Sequence, residues 1–118
     1  MRWKALIPIL LLPALAHAQA TTKTVNELKA FFAANCVKCH GVDGSGHGPD
    51  GAKLGGFDFT DTKEAAKESD ADMVKTIRKG IFFGIKMPSF KDRLSEEDQQ
   101  LLVKEILRKA EKGKAIVP

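Results

Sequence analysis

No apolar run in this chain reaches the roughly 20 residues that a membrane-spanning helix requires. The longest, Ala5–Leu15, has 11 residues and contains Pro8 and Pro13, which argues against a permanent membrane anchor. Charge of one sign is lacking too. The chain has 19 Lys and Arg against 15 Asp and Glu, evenly mixed, for a formal charge of +4. That balance does not make the basic stripe of a nucleic-acid binder. Cysteine is scarce, Cys36 and Cys39 being the whole complement. None closely follows the apolar run, so the lipid-modified N-terminus of a lipoprotein is not expected. Tyrosine is absent, and the one tryptophan, Trp3, lies near the start. Neither an internal repeat nor a convincing strand pattern is found.

The opening "MRWKALIPILLLPALAHAQA" has a function of its own. Arg2 and Lys4 precede the apolar run, and Ala16-His17-Ala18 follows it. This is the three-part pattern of a secretory signal peptide. Cleavage after Ala18 divides the chain into a leader, 1–18, and one domain, 19–118, of 100 residues with formal charge +2. One domain is what that length suggests. The expected location is the periplasm, with no membrane anchor retained.

The domain is predicted to be all-α with long loops. Thr24 and Glu27 form a capping box ahead of a helix whose apolar face is Val25, Leu28, Phe31 and Phe32. Gly41–Gly56 holds seven of the ten glycines and opposes both helix and strand. A short helix is predicted near Thr62–Lys67. Another starts after Ser69, with Met73, Val74 and Ile77 on its apolar face and Gly80 as its stop. "IFFGIKMPSF" is predicted to be a buried loop. The last helix begins at Ser95, with Glu96, Glu97 and Asp98 in its first turn and Arg108, Lys109 and Lys112 near its end, an order that suits the helix dipole. Most of the seven phenylalanines lie in or beside loops or next to the cysteines, as if something other than helix faces filled the centre.

The stretch "CVKCH" carries the chemistry. A Cys36–Cys39 disulfide closes too small a loop to stabilise much. A thioredoxin-like thiol pair needs a preceding strand and a βαβ setting, whereas a helix is predicted here. Structural zinc wants four ligands; Cys36, Cys39 and His47 make three, and His40 is too close to Cys39 to join them easily. Covalent haem attachment fits best. The two thiols add to the two porphyrin vinyl groups, and the histidine after the second cysteine lies beneath the ring. The iron's sixth position then needs a thioether, an imidazole or an open face. His47 is on a short tether, and Met73 sits on a helix stripe where methionine is usually filler. Met87 follows His40 by 47 residues and is held extended by Pro88.

On these residues the domain resembles the class I monohaem bacterial c-type cytochromes over nearly its whole length. The likeness rests on the N-terminal helix running into "CVKCHG", the glycine-rich loop with "GPDG", the "KMPSF" segment and the C-terminal amphipathic helix. It implies a small cytochrome c fold of three to four helices and long loops around one covalent haem c. Cys36 and Cys39 would form the thioethers, and His40 and Met87 would be the axial ligands. It further implies that Phe32 packs on the C-terminal helix, that the Pro49 carbonyl holds the His40 Nδ1–H, and that Leu54 touches the haem. Two features depart from the family. Leu28 stands where a small residue is common, and no Trp or Tyr remains to meet the haem propionates. Arg78 or a backbone N–H is the substitute considered.

An iron with both axial positions filled has no room for substrate. The expected function is one-electron transfer without catalysis, by a monomer. Its partners would be redox proteins: a dehydrogenase or reductase as donor, an oxidase or other protein as acceptor. Lys38, Lys53, Lys79, Lys86, Lys91 and Arg93 offer a basic rim for an acidic partner. The alternatives are an electron-accepting subunit of a periplasmic dehydrogenase, a gas-binding haem sensor and a zinc module.

Overall fold

The structure, a computed structural model, describes residues 22–118 together with Ala5, Pro8 and Ile9. Apart from Ala5, Pro8 and Ile9, the leader expected at residues 1–18 lies outside the described residues. Thr24 opens α1 (Val25–Asn35) as predicted. Its hydroxyl accepts the Glu27 N–H at 3.1 Å, and the Glu27 carboxylate accepts the Thr24 N–H at 3.2 Å. Cys36 ends α1 by donating its N–H to Phe32 O, and α2 (Val37–His40) follows at once. Asp61 caps α3 (Thr62–Ala65). Ser69 caps α4 (Asp70–Lys79), and Gly80 closes it at φ 72°. Ser95 and Asp98 form a second capping box ahead of α5 (Glu96–Leu102).

The last helix does not continue as one α-helix. Val103–Leu107 widens into a π-helical turn in which the Arg108 N–H reaches Val103 O, five residues back, at 2.9 Å. Val103, Ile106 and Leu107 stay buried. Arg108 extends to the α3–α4 link, where its guanidinium donates to Ala65 O and to the Asp70 carboxylate, both at 2.7 Å.

The core lies where α1 and α4 pack against α5 and the π turn. Leu28 and Phe32 are completely buried there, in one cluster with Leu102, Val103 and Ile106. Phe32 thus meets the expectation of an anchor on the C-terminal helix. Leu28 is part of that packing and does not hold the helices apart. Burying each such side chain contributes about 1.5–3 kcal/mol. Asp98 is buried as well, accepting the Lys23 N–H at 2.7 Å and so fastening the segment before α1 to α5.

The glycine-rich stretch is an ordered loop folded back against α2. Gly46 N–H donates to His40 O at 2.7 Å, Leu54 N–H to Gly46 O at 2.8 Å and Gly56 N–H to Cys39 O at 2.8 Å. The segment predicted to be a buried loop is not buried. Phe90 is in the core and Met87 is half-buried, but Ile81, Phe82, Phe83 and Ile85 are exposed. An isolated bridge between Ile81 and Met87 closes the base of this loop, and positive φ at Phe82 and Phe83 turns the chain away from the core. Among the described residues there is no strand beyond isolated bridges, and no helix is long and apolar enough to cross a membrane.

Candidate haem site

One helical turn assembles the attachment residues. Cys39 and His40 both donate their N–H groups to Cys36 O, at 3.2 and 2.9 Å. Residues spaced by three and four share a helix face, so Cys36, Cys39 and His40 line one wall of a cavity of about 590 Å³. Both cysteines are free thiols. Burial pushes the Cys36 thiol up to about 11, against the opposing pull of Arg93. Burial lowers the His40 pKa, opposed by its hydrogen bond to the backbone of Phe57.

That bond fixes the imidazole. His40 Nδ1 lies 3.1 Å from Phe57 O, so Nδ1 carries the proton and Nε2 keeps a free lone pair, the form that ligates a metal. The Phe59 ring lies alongside, its centroid 5.0 Å from that of His40. The Pro49 expected in this role is exposed and outside the cavity wall; Phe57 supplies the carbonyl. Gly56 allows the close approach. A Cβ there would stand 2.3 Å from Cys39 O and 2.8 Å from His40 Nδ1.

Leu54 and Met87 belong to the same cavity wall. Met87 is pinned from several sides. Its carbonyl accepts the Ile81 N–H at 3.0 Å, and Phe90 N–H donates to Ile77 O at 3.0 Å. A Cβ on Gly80 would stand 2.3 Å from Met87 O, so the end of α4 presses directly on this segment. Met73 is buried in the core and also reaches the wall. His47 does not; its Nδ1 faces Ser45 O at 2.8 Å. Arg78 is exposed and away from the wall, whereas Thr76 and Lys86 are part of it. Phe57 leaves no mark in the sequence, because a backbone carbonyl has no residue signature; the Gly55-Gly56 pair beside it is the available cue.

The arrangement suits a haem. The cavity falls within the range of about 300–1,000 Å³ typical of small-molecule sites. Its wall is mainly apolar, with two thiols one helical turn apart, an imidazole with a free Nε2 and a thioether. Zinc is poorly served: among the described residues no three His, Cys, Asp or Glu side chains converge to hold a metal ion.

Comparison with known proteins agrees. Residues 23–104 match the family model described as "Cytochrome C oxidase, cbb3-type, subunit III". The chain belongs to this family of c-type cytochromes. Among solved structures it is similar to the KustC0563 c-type cytochrome, at 32% identity and a TM-score of 0.58, over 71% of this chain and 96% of that one. A mutant of Kustc0563 matches at 33% identity and a TM-score of 0.56, over 71% and 98%. None of the curated proteins compared matches the chain. The cytochrome is a monohaem protein of the all-α cytochrome c fold, and its cofactor is covalently bound haem c. It is a haem c electron carrier, which implies redox partners.

Proposed function

We propose that this cytochrome is a periplasmic one-electron carrier with no catalysis of its own, attached to its haem through Cys36 and Cys39 and ligating the iron through His40 and Met87. Bound haem c supplies a one-electron iron couple, whose potential a methionine ligand raises. The observation that carries the ligand assignment is that Met87 shares the wall of the large cavity with His40 and is only half-buried, whereas Met73, though it reaches that wall, is buried in the core. Phe57 O orients the imidazole, the Ile81–Met87 bridge holds the methionine backbone, and Leu54 closes an apolar side. Thr76 and Lys86 are among the polar groups of the wall and suit haem carboxylates. The periplasmic reading rests on the leader pattern of residues 1–18.

The test is a visible spectrum of the ferric holoprotein. The weak long-wavelength band of iron–methionine ligation is expected, and Met87→Ala should abolish it and lower the potential. A band unchanged in Met87→Ala refutes the assignment. Cell fractionation and the mass of the purified protein check export and cleavage after Ala18.

A second reading has support in the family description, which names an oxidase subunit. In it the same domain passes electrons inside a larger complex and is not a free monomer. Co-purification with an oxidase or dehydrogenase would favour it.

A further inference from the structure

The haem site leaves residues 81–85 unexplained. Phe82 and Phe83 hold φ of 54° and 53°, a region that bulky L-residues rarely enter. Phe82 O accepts the Ile85 N–H at 2.9 Å around Phe83-Gly84, both at positive φ. Asn-Gly is the ordinary choice for such a mirror-image turn; this chain places phenylalanine there. The turn is fastened at its base by Ile81 N–H to Met87 O at 3.0 Å and Lys86 N–H to Ile81 O at 3.2 Å. The result is outward display. Phe82, Phe83 and Ile85 are 66%, 103% and 85% exposed. None of them lines the haem cavity, although Ile81 and Lys86 on either side do. Exposed apolar clusters of this kind mark interaction sites.

Positive charge is concentrated in the same stretch of sequence. Residues 75–91 contain Lys75, Arg78, Lys79, Lys86 and Lys91 and no acidic residue, in a chain whose total is only +4. Lys86 Nζ lies 5.3 Å from the centre of the Phe82 ring. A protruding apolar tip within a basic stretch of chain is the composition of interfacial membrane anchors. Three side chains standing clear of the protein body suit a medium that closes around them, and the basic residues of the stretch complement lipid phosphates.

We propose that this turn docks the cytochrome on an anionic lipid bilayer. Phe82, Phe83 and Ile85 enter the boundary between headgroups and acyl chains, and the basic residues of 75–91 pair with lipid phosphates. Ile81 and Lys86 belong to both the turn and the cavity wall, so docking turns that side of the haem site toward the membrane. The inference is independent of which side chain completes the iron's coordination.

The test sediments the haem-loaded protein with phosphatidylcholine vesicles, with and without roughly one third phosphatidylglycerol, at low and high salt. Binding is expected to the anionic vesicles, weakened by salt. Phe82→Ser with Phe83→Ser should cut it about tenfold or more while the visible spectrum, which reports folding, stays unchanged. Lys79→Glu should weaken binding as well and serves if the double variant fails to fold. Every variant shares the same N-terminus, so residues 1–18 cannot produce the difference. The proposal is overturned by absent binding to anionic vesicles, or by binding indifferent to Phe82 and Phe83. Self-association abolished by the double variant would assign the turn to a second copy. Loss of electron transfer to a soluble acidic redox protein, with vesicle binding intact, would assign it to a protein partner. Either outcome also overturns the proposal.

Discussion

His40 Nδ1 lies 3.1 Å from the carbonyl oxygen of Phe57, a residue 17 positions further along the chain. The contact is short because Gly56, which precedes Phe57, donates its N–H to Cys39 O and has no side chain to intervene. The histidine's tautomer is thus set by a loop folding back onto the attachment helix. A polar side chain is not needed for it.

Gly56→Ala should therefore damage the site. The new Cβ would meet Cys39 O at 2.3 Å and His40 Nδ1 at 2.8 Å, and neither backbone nor ring can yield freely. Overpacking of this kind costs about 1–3 kcal/mol. Thermal unfolding of the holoprotein should show the loss, and the visible spectrum should report a disturbed imidazole.

Met73→Leu separates the two methionines of the cavity wall. Met73 sits in the core with Val74 and Ile77, where a swap of similar volume costs less than about 1.5 kcal/mol. The long-wavelength band should survive this change and vanish in Met87→Ala. Parallel ferric spectra decide the matter.

Acid should weaken the fold through two carboxylates. Burial pushes the Asp43 carboxyl up, but the N–H groups of Gly113 and Ser45 and the Ser45 hydroxyl outweigh it and hold the group down to about 2. Burial likewise opposes ionisation of Asp98, yet the N–H groups of Lys23 and Ser95 keep it below its ordinary value. A carboxylate with a lower pKa folded than unfolded stabilises fully above its unfolded value, near 3.8. That contribution is lost as the pH falls toward the folded value. Asp43→Asn and Asp98→Asn should each lower Tm at neutral pH and flatten its decline below about pH 4. Calorimetric scans across pH provide the check.

Arg108→Ala should loosen the α3–α4 link. Its guanidinium holds Ala65 O and Asp70 at 2.7 Å. Hydrogen bonds involving a charged group are each worth about 1.5–3 kcal/mol, less here because Asp70 is largely exposed. Hydrogen exchange should accelerate in residues 65–70 while α1 stays protected.

The features legible in the sequence are those whose chemistry is local. Thr24, Ser69 and Ser95 cap helices because each hydroxyl reaches an N–H three residues on. Cys36, Cys39 and His40 are legible for the same reason, being one turn of backbone. Phe57 was not, since its contribution is a carbonyl whose position depends on how the glycine loop closes. The outward face of the Phe82–Phe83 turn is not legible in the sequence, because apolar residues are usually buried; the backbone dihedrals reveal it. The π turn at Val103–Leu107 is likewise set by tertiary context, with Arg108 drawn to carbonyls some forty residues earlier in the chain.

Gly113 N–H reaches the Asp43 carboxylate at 2.9 Å, and Ile116 N–H reaches Val42 O at 2.7 Å. Both clasps close on the residues immediately after the attachment motif, and the donor Gly113 is translated 70 positions after its acceptor. The loop beyond His40 is therefore held twice, by its own bonds back to Cys39 and His40 and by residues 113–116. Two stretches far apart in sequence share the task of keeping the attachment segment in place.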